Sequence, residues 1–252
     1  MPSRTSRLRV LLLSCLLASS AQAAEPELTE LSILVQGKPC SALLLRPADA
    51  RALLVLAHGQ IMNIHHPFME AISAALAHHG IATLRFNFAY AEAKRDRPDG
   101  RPLLIEATTA ATREGERRRG SLPLLLGGKS LGGLMAAEAL GGGAQPGVKG
   151  LVILSYPLHA PGRPSAVNAQ RLEAVKQPIL ILQGTEDPLA DLTLMEALVA
   201  KLGPRARLEV VQGADHSFAL PEGSTRTQAE VYDELVSAIA SFAATLAPQP
   251  GG

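Results

Sequence analysis

The chain reads as a single α/β domain, a doubly wound and mostly parallel sheet with helices on both faces. Three observations predict this. Short apolar runs recur at Leu53 to Ala57, Leu122 to Leu126, Val148 to Leu154 (interrupted only by Lys149) and Ile179 to Leu182. Strands buried on both faces read as continuous runs, whereas half-buried strands alternate. Helix-length stretches lie between these runs with short connections, the alternation that builds parallel sheets. Neither an internal repeat nor a linker divides the 252 residues, a length that α/β folds often reach as one domain.

The elements follow in order. Leu28 to Val35 and Ser41 to Leu45 predict two strands turning about Gly37-Lys38-Pro39, an antiparallel edge. Leu53 to Ala57 begins the buried sheet. Pro67 to His79 predicts a helix, with Pro67 in its first turn and Gly80 at its end. Ile81 to Phe88 returns as a strand, and a polar loop from Ala89 to Pro102 leads to a helix from Leu103 to about Arg119. Leu122 to Leu126 and a helix after Ser130 form the next unit, closed by Gly141-Gly142-Gly143. Val148 to Leu154 follows. Ile179 to Leu182 pairs with a helix from Leu189 to Leu202, and Leu208 to Val211 with one from Thr227 to Leu246. The longest insert after a central strand, Ser155 to Gln177, has room for one short helix near Ala169 to Val175. It is too small for a folded lid domain, so a site beneath it should be open.

The amino terminus reads as a signal rather than as fold. Arg4, Arg7 and Arg9 form a basic region, Val10 to Ala18 a short apolar one, and Ala21-Gln22-Ala23 a small-residue cleavage site. The apolar run is far short of the ~20 residues that span a bilayer as a helix. This assigns residues 1–23 to a cleavable signal and residues 24–252 to the folded domain, exported to the periplasm or secreted. No transmembrane segment is expected in the mature chain. Cleavage removes three arginines and no acid, taking the formal charge from +1 to −2. A near-neutral chain is a poor partner for nucleic acid. Cys15 leaves with the signal, so Cys40 has no intrachain partner and a disulfide scaffold is excluded.

Gly128-Lys129-Ser130-Leu131-Gly132 sits where a strand turns into a helix. In this G-x-S-x-G elbow the central residue is strained, and its hydroxyl projects from the carboxyl edge of the sheet. A phosphate-binding loop would need a further glycine at position 123, where Pro123 stands. A serine needs a base to take its proton, and the base needs a group to orient it. On such a sheet these partners follow in the order Ser, acid, His. Asp187 lies just past the Ile179 to Leu182 strand, and His216 just past the next one. Glu186 and Asp191 are rival acids, and Asp187 is also placed to cap the following helix. The backbone amides of Leu131 and Gln60 are the expected oxyanion donors, Gln60 following His58-Gly59 after the first buried strand.

Six blocks of residues carry a resemblance. Leu56-Ala57-His58-Gly59, His66-Pro67-Phe68-Met69, Arg85-Phe86-Asn87-Phe88-Ala89-Tyr90, Arg97-Pro98-Asp99, Gly128-Lys129-Ser130-Leu131-Gly132-Gly133 and Gly213-Ala214-Asp215-His216-Ser217 resemble the KANL3/Tex30-like branch of the α/β-hydrolase superfamily. That branch is related in pattern to dienelactone hydrolases. The resemblance runs from about Leu53 to the end of the last helix. It implies an α/β-hydrolase fold without a large lid, with Ser130, Asp187 and His216 on the nucleophile, acid and base positions. The chain departs from the branch at Gln60-Ile61, where members carry a small residue and then glycine.

The reading is a serine hydrolase that cleaves an ester or similar acyl bond of a small-molecule substrate. A hydrolase-fold binding protein without turnover and a serine peptidase are the alternatives. No cofactor and no metal are expected: His65-His66 and His78-His79 are chain neighbours without accompanying carboxylates, a poor ligand set. Arg117-Arg118-Arg119 reads as a solvated helix end, and Lys94, Arg95, Arg97 and Arg101 as a basic loop near the site.

The signal assignment makes a direct prediction. Protein recovered from the cell envelope or medium should begin at Ala24 by amino-terminal sequencing. Retained Met1, or a lipid-modified Cys15 as first residue, would contradict it.

Overall fold

A computed structural model describes residues 24–247 apart from 144 and 146. The signal assigned to residues 1–23 lies outside the described residues. Among the described residues eight strands form one sheet. β1 (Glu27–Val35) and β2 (Lys38–Arg46) make the expected antiparallel edge, and β2 pairs antiparallel with β4 (Ile81–Phe86). From β4 onward every pairing is parallel, through β3 (Ala52–Ala57), β5 (Leu124–Lys129), β6 (Val148–Leu154), β7 (Ile179–Gly184) and β8 (Ala206–Val211).

Alternation along the strands divides the core into two layers. Leu53, Val55 and Ala57 of β3 face one layer, which they share with α3 (Arg101–Arg118), α4 (Leu131–Gly141) and α6 (Leu192–Leu202). Ala52, Leu54 and Leu56 face the other, shared with α1 (Pro67–His78) and α7 (Gln228–Thr245). Both layers are mainly aliphatic, in keeping with a chain that has no Trp and few other aromatics. Each Leu or Ile fully removed from water contributes roughly 2 kcal/mol. Cys40 is buried in the first layer, and burial pushes its thiol up to about 11, so it packs as a small hydrophobe.

The strand order reverses between β3 and β5. From β3 the chain passes into α1 on one face, and from β5 into α4 on the other. The two connections diverge and leave a crevice at the carboxyl edge, where open α/β sheets bind ligands.

Several boundaries move from their expected places. β4 stops at Phe86, and Asn87 and Phe88 leave the sheet for a short helix, α2 (Ala89–Glu92), inside the loop expected to be irregular. The insert 155–177 holds only α5 (Ala169–Glu173), so no lid domain covers the edge. Arg117 and Arg118 both pair with the largely buried Glu114, which makes that helix end an ion-pair cluster rather than merely solvated. None of the described helices is long and apolar enough to cross a membrane.

Candidate active site

At the end of β5 the backbone of Ser130 takes φ 53° and ψ −115° before α4 begins. A left-handed conformation costs a non-glycine residue on the order of 1–3 kcal/mol, so its surroundings must enforce it. Ser130 N–H donates to the Leu154 carbonyl at 2.9 Å, and the Ser130 carbonyl accepts from Leu134 N–H at 3.1 Å. The first turn of α4 lies hard against the sheet. A Cβ on Gly132 would stand 2.4 Å from the Ala57 carbonyl oxygen, and one on Gly128 would stand 2.3 Å from the Gly132 backbone. Both glycines of the motif are therefore steric necessities.

Three loops bring the sequence-predicted side chains together. His216 Nε2 lies 2.8 Å from Ser130 Oγ, and His216 Nδ1 lies 2.7 Å from Asp187 Oδ2. The Asp187 carboxylate is fully buried. It also accepts from Gln183 Nε2 at 2.5 Å and from Leu189 N–H at 2.8 Å. An oxygen that accepts from the imidazole requires the proton on Nδ1. Nε2 is then free to accept from the serine hydroxyl.

The rival acids lie elsewhere. Asp191, not Asp187, caps α6, accepting from Leu194 N–H at 3.0 Å, and Glu186 is exposed beside Thr185. Asp187 instead holds a turn through Leu189, and the helix expected from Leu189 begins at Leu192.

Sequence reasoning missed Gln183. It is fully buried, and its Oε1 accepts from Tyr156 N–H at 2.8 Å. That bond fixes the amide orientation, so Nε2 faces Asp187. A polar residue closing the apolar run Ile179 to Leu182 was the available signal.

The loop after β3 is held just as firmly. His58 is buried, its Nδ1 donating to the Gly59 carbonyl at 2.7 Å and its Nε2 accepting from Phe88 N–H at 3.2 Å. Tyr90 Oη donates to the Gln60 carbonyl at 2.7 Å. Burial raises the Tyr90 phenol, with Asp99 adding to the effect, so it stays a donor. Arg85 Nη1 donates to the Ile64 carbonyl at 2.6 Å, and Asn87 Oδ1 accepts from Ile64 N–H at 3.0 Å. The Arg85 to Tyr90 block is thus the frame of this loop. Because the Gly59 carbonyl is bound to His58 and the peptide is planar and trans, Gln60 N–H points the opposite way. Leu131 N–H, first in α4, has no carbonyl one turn back to bind.

Beside this loop a cavity of about 280 Å³ is lined by Gln60, Ile61, Met62, Asn63, Tyr90 and Lys94, among others. The basic loop is partly neutralised, Arg95 by Asp99 and Arg101 by Glu138. His66 caps α1 through Phe68 N–H, and His65 approaches Glu70 at 3.1 Å, so both have structural partners.

The family model described as "Alpha/beta hydrolase domain" matches residues 50–244. Solved structures share the fold at low identity. A dienelactone hydrolase from Anabaena variabilis is 21% identical with a TM-score of 0.66, over 88% of this chain and 97% of that one. An alpha-beta serine hydrolase homologue from Coxiella burnetii is 20% identical with a TM-score of 0.67, over 83% and 96%. XC6422 from Xanthomonas campestris, described as an a/b serine hydrolase without lid, is 18% identical with a TM-score of 0.65, over 90% and 97%.

The buried loop histidine generates a pH prediction. Burial lowers the His58 pKa from its ordinary 6.5 to about 4, against the opposing bond to Gly59. Between those values the unfolded chain binds a proton that the folded chain refuses. Stability from this group is therefore complete above pH 6.5 and is lost as pH falls towards 4, by about 3 kcal/mol. Urea unfolding at pH 7, 5.5 and 4.5 should show that slope in the wild type, and His58→Asn should flatten it.

Proposed function

Because the chain belongs to the alpha/beta hydrolase family, we propose that it is a serine hydrolase cleaving an ester or similar acyl bond through an acyl-enzyme on Ser130. The observation that carries this reading is the unbroken chain of contacts from Ser130 Oγ through His216 to Asp187, at 2.8 and 2.7 Å. The three residues come from loops after three different strands.

In this mechanism His216 Nε2 takes the hydroxyl proton as Ser130 Oγ attacks the acyl carbon. Asp187 holds the ring in the required tautomer and stabilises the imidazolium. The amides of Leu131 and Gln60 receive the oxyanion, each such donor lowering the barrier by about 3 kcal/mol. Collapse of the tetrahedral intermediate breaks the bond to the leaving group, which takes the proton from His216. Water then attacks the acyl-enzyme with His216 again as base, and Ser130 is restored.

The substrate reading rests on the open edge. The insert 155–177 contributes only a five-residue helix, and the Xanthomonas relative is likewise described as lacking a lid. A long acyl chain left partly in water forgoes roughly 0.8 kcal/mol per unburied CH₂. Short acyl esters are therefore the proposed substrates. The amino-terminal signal assigns the activity to the periplasm or the exterior.

A chain-length series of p-nitrophenyl esters tests the proposal, with fluorophosphonate labelling read in parallel. Turnover should peak at short acyl groups and vanish, with labelling, in Ser130→Ala. Asp187→Asn should lower turnover by roughly 10⁴-fold through the wrong tautomer. Glu186→Gln and Asp191→Asn should each change it by less than about tenfold; asparagine caps a helix about as well as aspartate. Labelling without ester turnover would favour a peptidase. Neither labelling nor turnover would favour a binding protein.

A further inference from the structure

Lys129 breaks the pattern of its strand. The other five residues of β5 are leucines and glycines, all six are buried, and Lys129 is only 1% exposed. An ammonium group removed from water is expensive unless it is paired and hydrogen-bonded. Here desolvation brings its pKa down to about 8, although the Asp187 and Asp215 carboxylates act in the opposite sense. Fold stability gives no reason for such a group, because apolar replacements of buried ions are often neutral or stabilising.

The side chain leads to the base loop. Its stem passes the loop after β3, with Cγ 3.7 Å from where a Cβ on Gly59 would stand. Its ammonium lies 5.4 Å from the Phe218 ring centre and 5.9 Å from that of Phe68, close enough for cation–π attraction. Nζ donates to the main-chain carbonyl of His216. The other main-chain bonds of this loop are internal or run to the acid loop and α7. Asp215 Oδ1 accepts from Ser217 N–H and Ala219 N–H, Gly213 N–H donates to Thr185 Oγ1, the Ala214 carbonyl accepts from Glu186 N–H, and the Phe218 carbonyl accepts from Gln228 Nε2. They set the shape of the turn and hold it beside the acid loop, and none of them reaches the strand that carries Ser130.

We propose that Lys129 is a positioning residue, tying the backbone of His216 to the strand that carries Ser130 and so fixing the imidazole between Ser130 and Asp187. This rests on the Ser130–His216 reading above. Lys129 would not touch substrate. It acts on the distance between base and nucleophile, where a misplacement of about 1 Å costs on the order of 10²-fold in rate.

Lys129→Met tests it, since methionine keeps an unbranched stem beside the two phenylalanines and removes the charge. Expected are a loss of roughly 10- to 100-fold in kcat and in the rate of fluorophosphonate labelling, a KM within about threefold of wild type for the same short ester, and a Tm unchanged or raised. Labelling at the wild-type rate would overturn the proposal. So would a clearly lowered Tm, which would make the lysine a support of the fold. If the wild type itself fails to label, the serine hydrolase reading has failed. That outcome is distinct from slow labelling confined to Lys129→Met.

Discussion

The constraint on which the rest depends is the contact between the first turn of α4 and the end of β3. Gly132 has no side chain because the Ala57 and His58 carbonyls occupy the space where its Cβ would stand. That approach holds α4 against the sheet, and the strand leading into it can connect only through a left-handed residue. Ser130 therefore carries its strain as a consequence of packing. The same contact brings the end of β3 beside the nucleophile, so the loop bearing Gln60 and the helix bearing Leu131 start from adjoining points. One steric fact links the serine's exposure with the placement of both oxyanion candidates.

A second tier of hydrogen bonds aims what the first tier places. Gln183 orients the Asp187 carboxylate, and its own amide is oriented by Tyr156 N–H. His58 and Tyr90 pull the Gly59 and Gln60 carbonyls to one side of their loop. Both arrangements are buried and paired through more than one atom. In a low-dielectric interior such networks rigidify strongly when satisfied and cost heavily when broken. The sheet supplies position to within a loop, and these bonds supply direction.

How much of this is legible in the sequence depends on the kind of interaction. Buried parallel strands show as largely apolar runs, so β3, β5, β6 and β7 are evident, as is the Ser, acid, His order at successive strand ends. The acid itself is ambiguous there. Asp187 and Asp191 both precede helix-compatible residues, and only the three-dimensional turn through Leu189 sends one to the imidazole and the other to a cap. The block Arg85-Phe86-Asn87-Phe88-Ala89-Tyr90 carries a resemblance but no visible role, because its partners lie about 20 to 30 residues earlier in the loop it frames. Gln183 is silent for the same reason: a glutamine's function is set by what its amide faces, and no periodicity encodes that.

Strained serines and a buried cation mark the carboxyl edge of the sheet. Ser130 and Ser155, each the residue after a central strand, both take φ 53°. Ser155 Oγ is buried and without a partner among the described residues, and Lys129 is a buried cation one residue before the elbow. The apolar interior of the sheet, by contrast, contains mainly aliphatic side chains in two continuous layers that ask for no such tolerance. Several local rules broken side by side are the expected mark of a functional edge. Each departure costs stability, so it persists only where the surrounding core supplies a surplus. The eight-stranded sheet, buried on both faces through its centre, is that surplus. This is why the nucleophile and the acid stand at the carboxyl ends of two fully buried strands, β5 and β7.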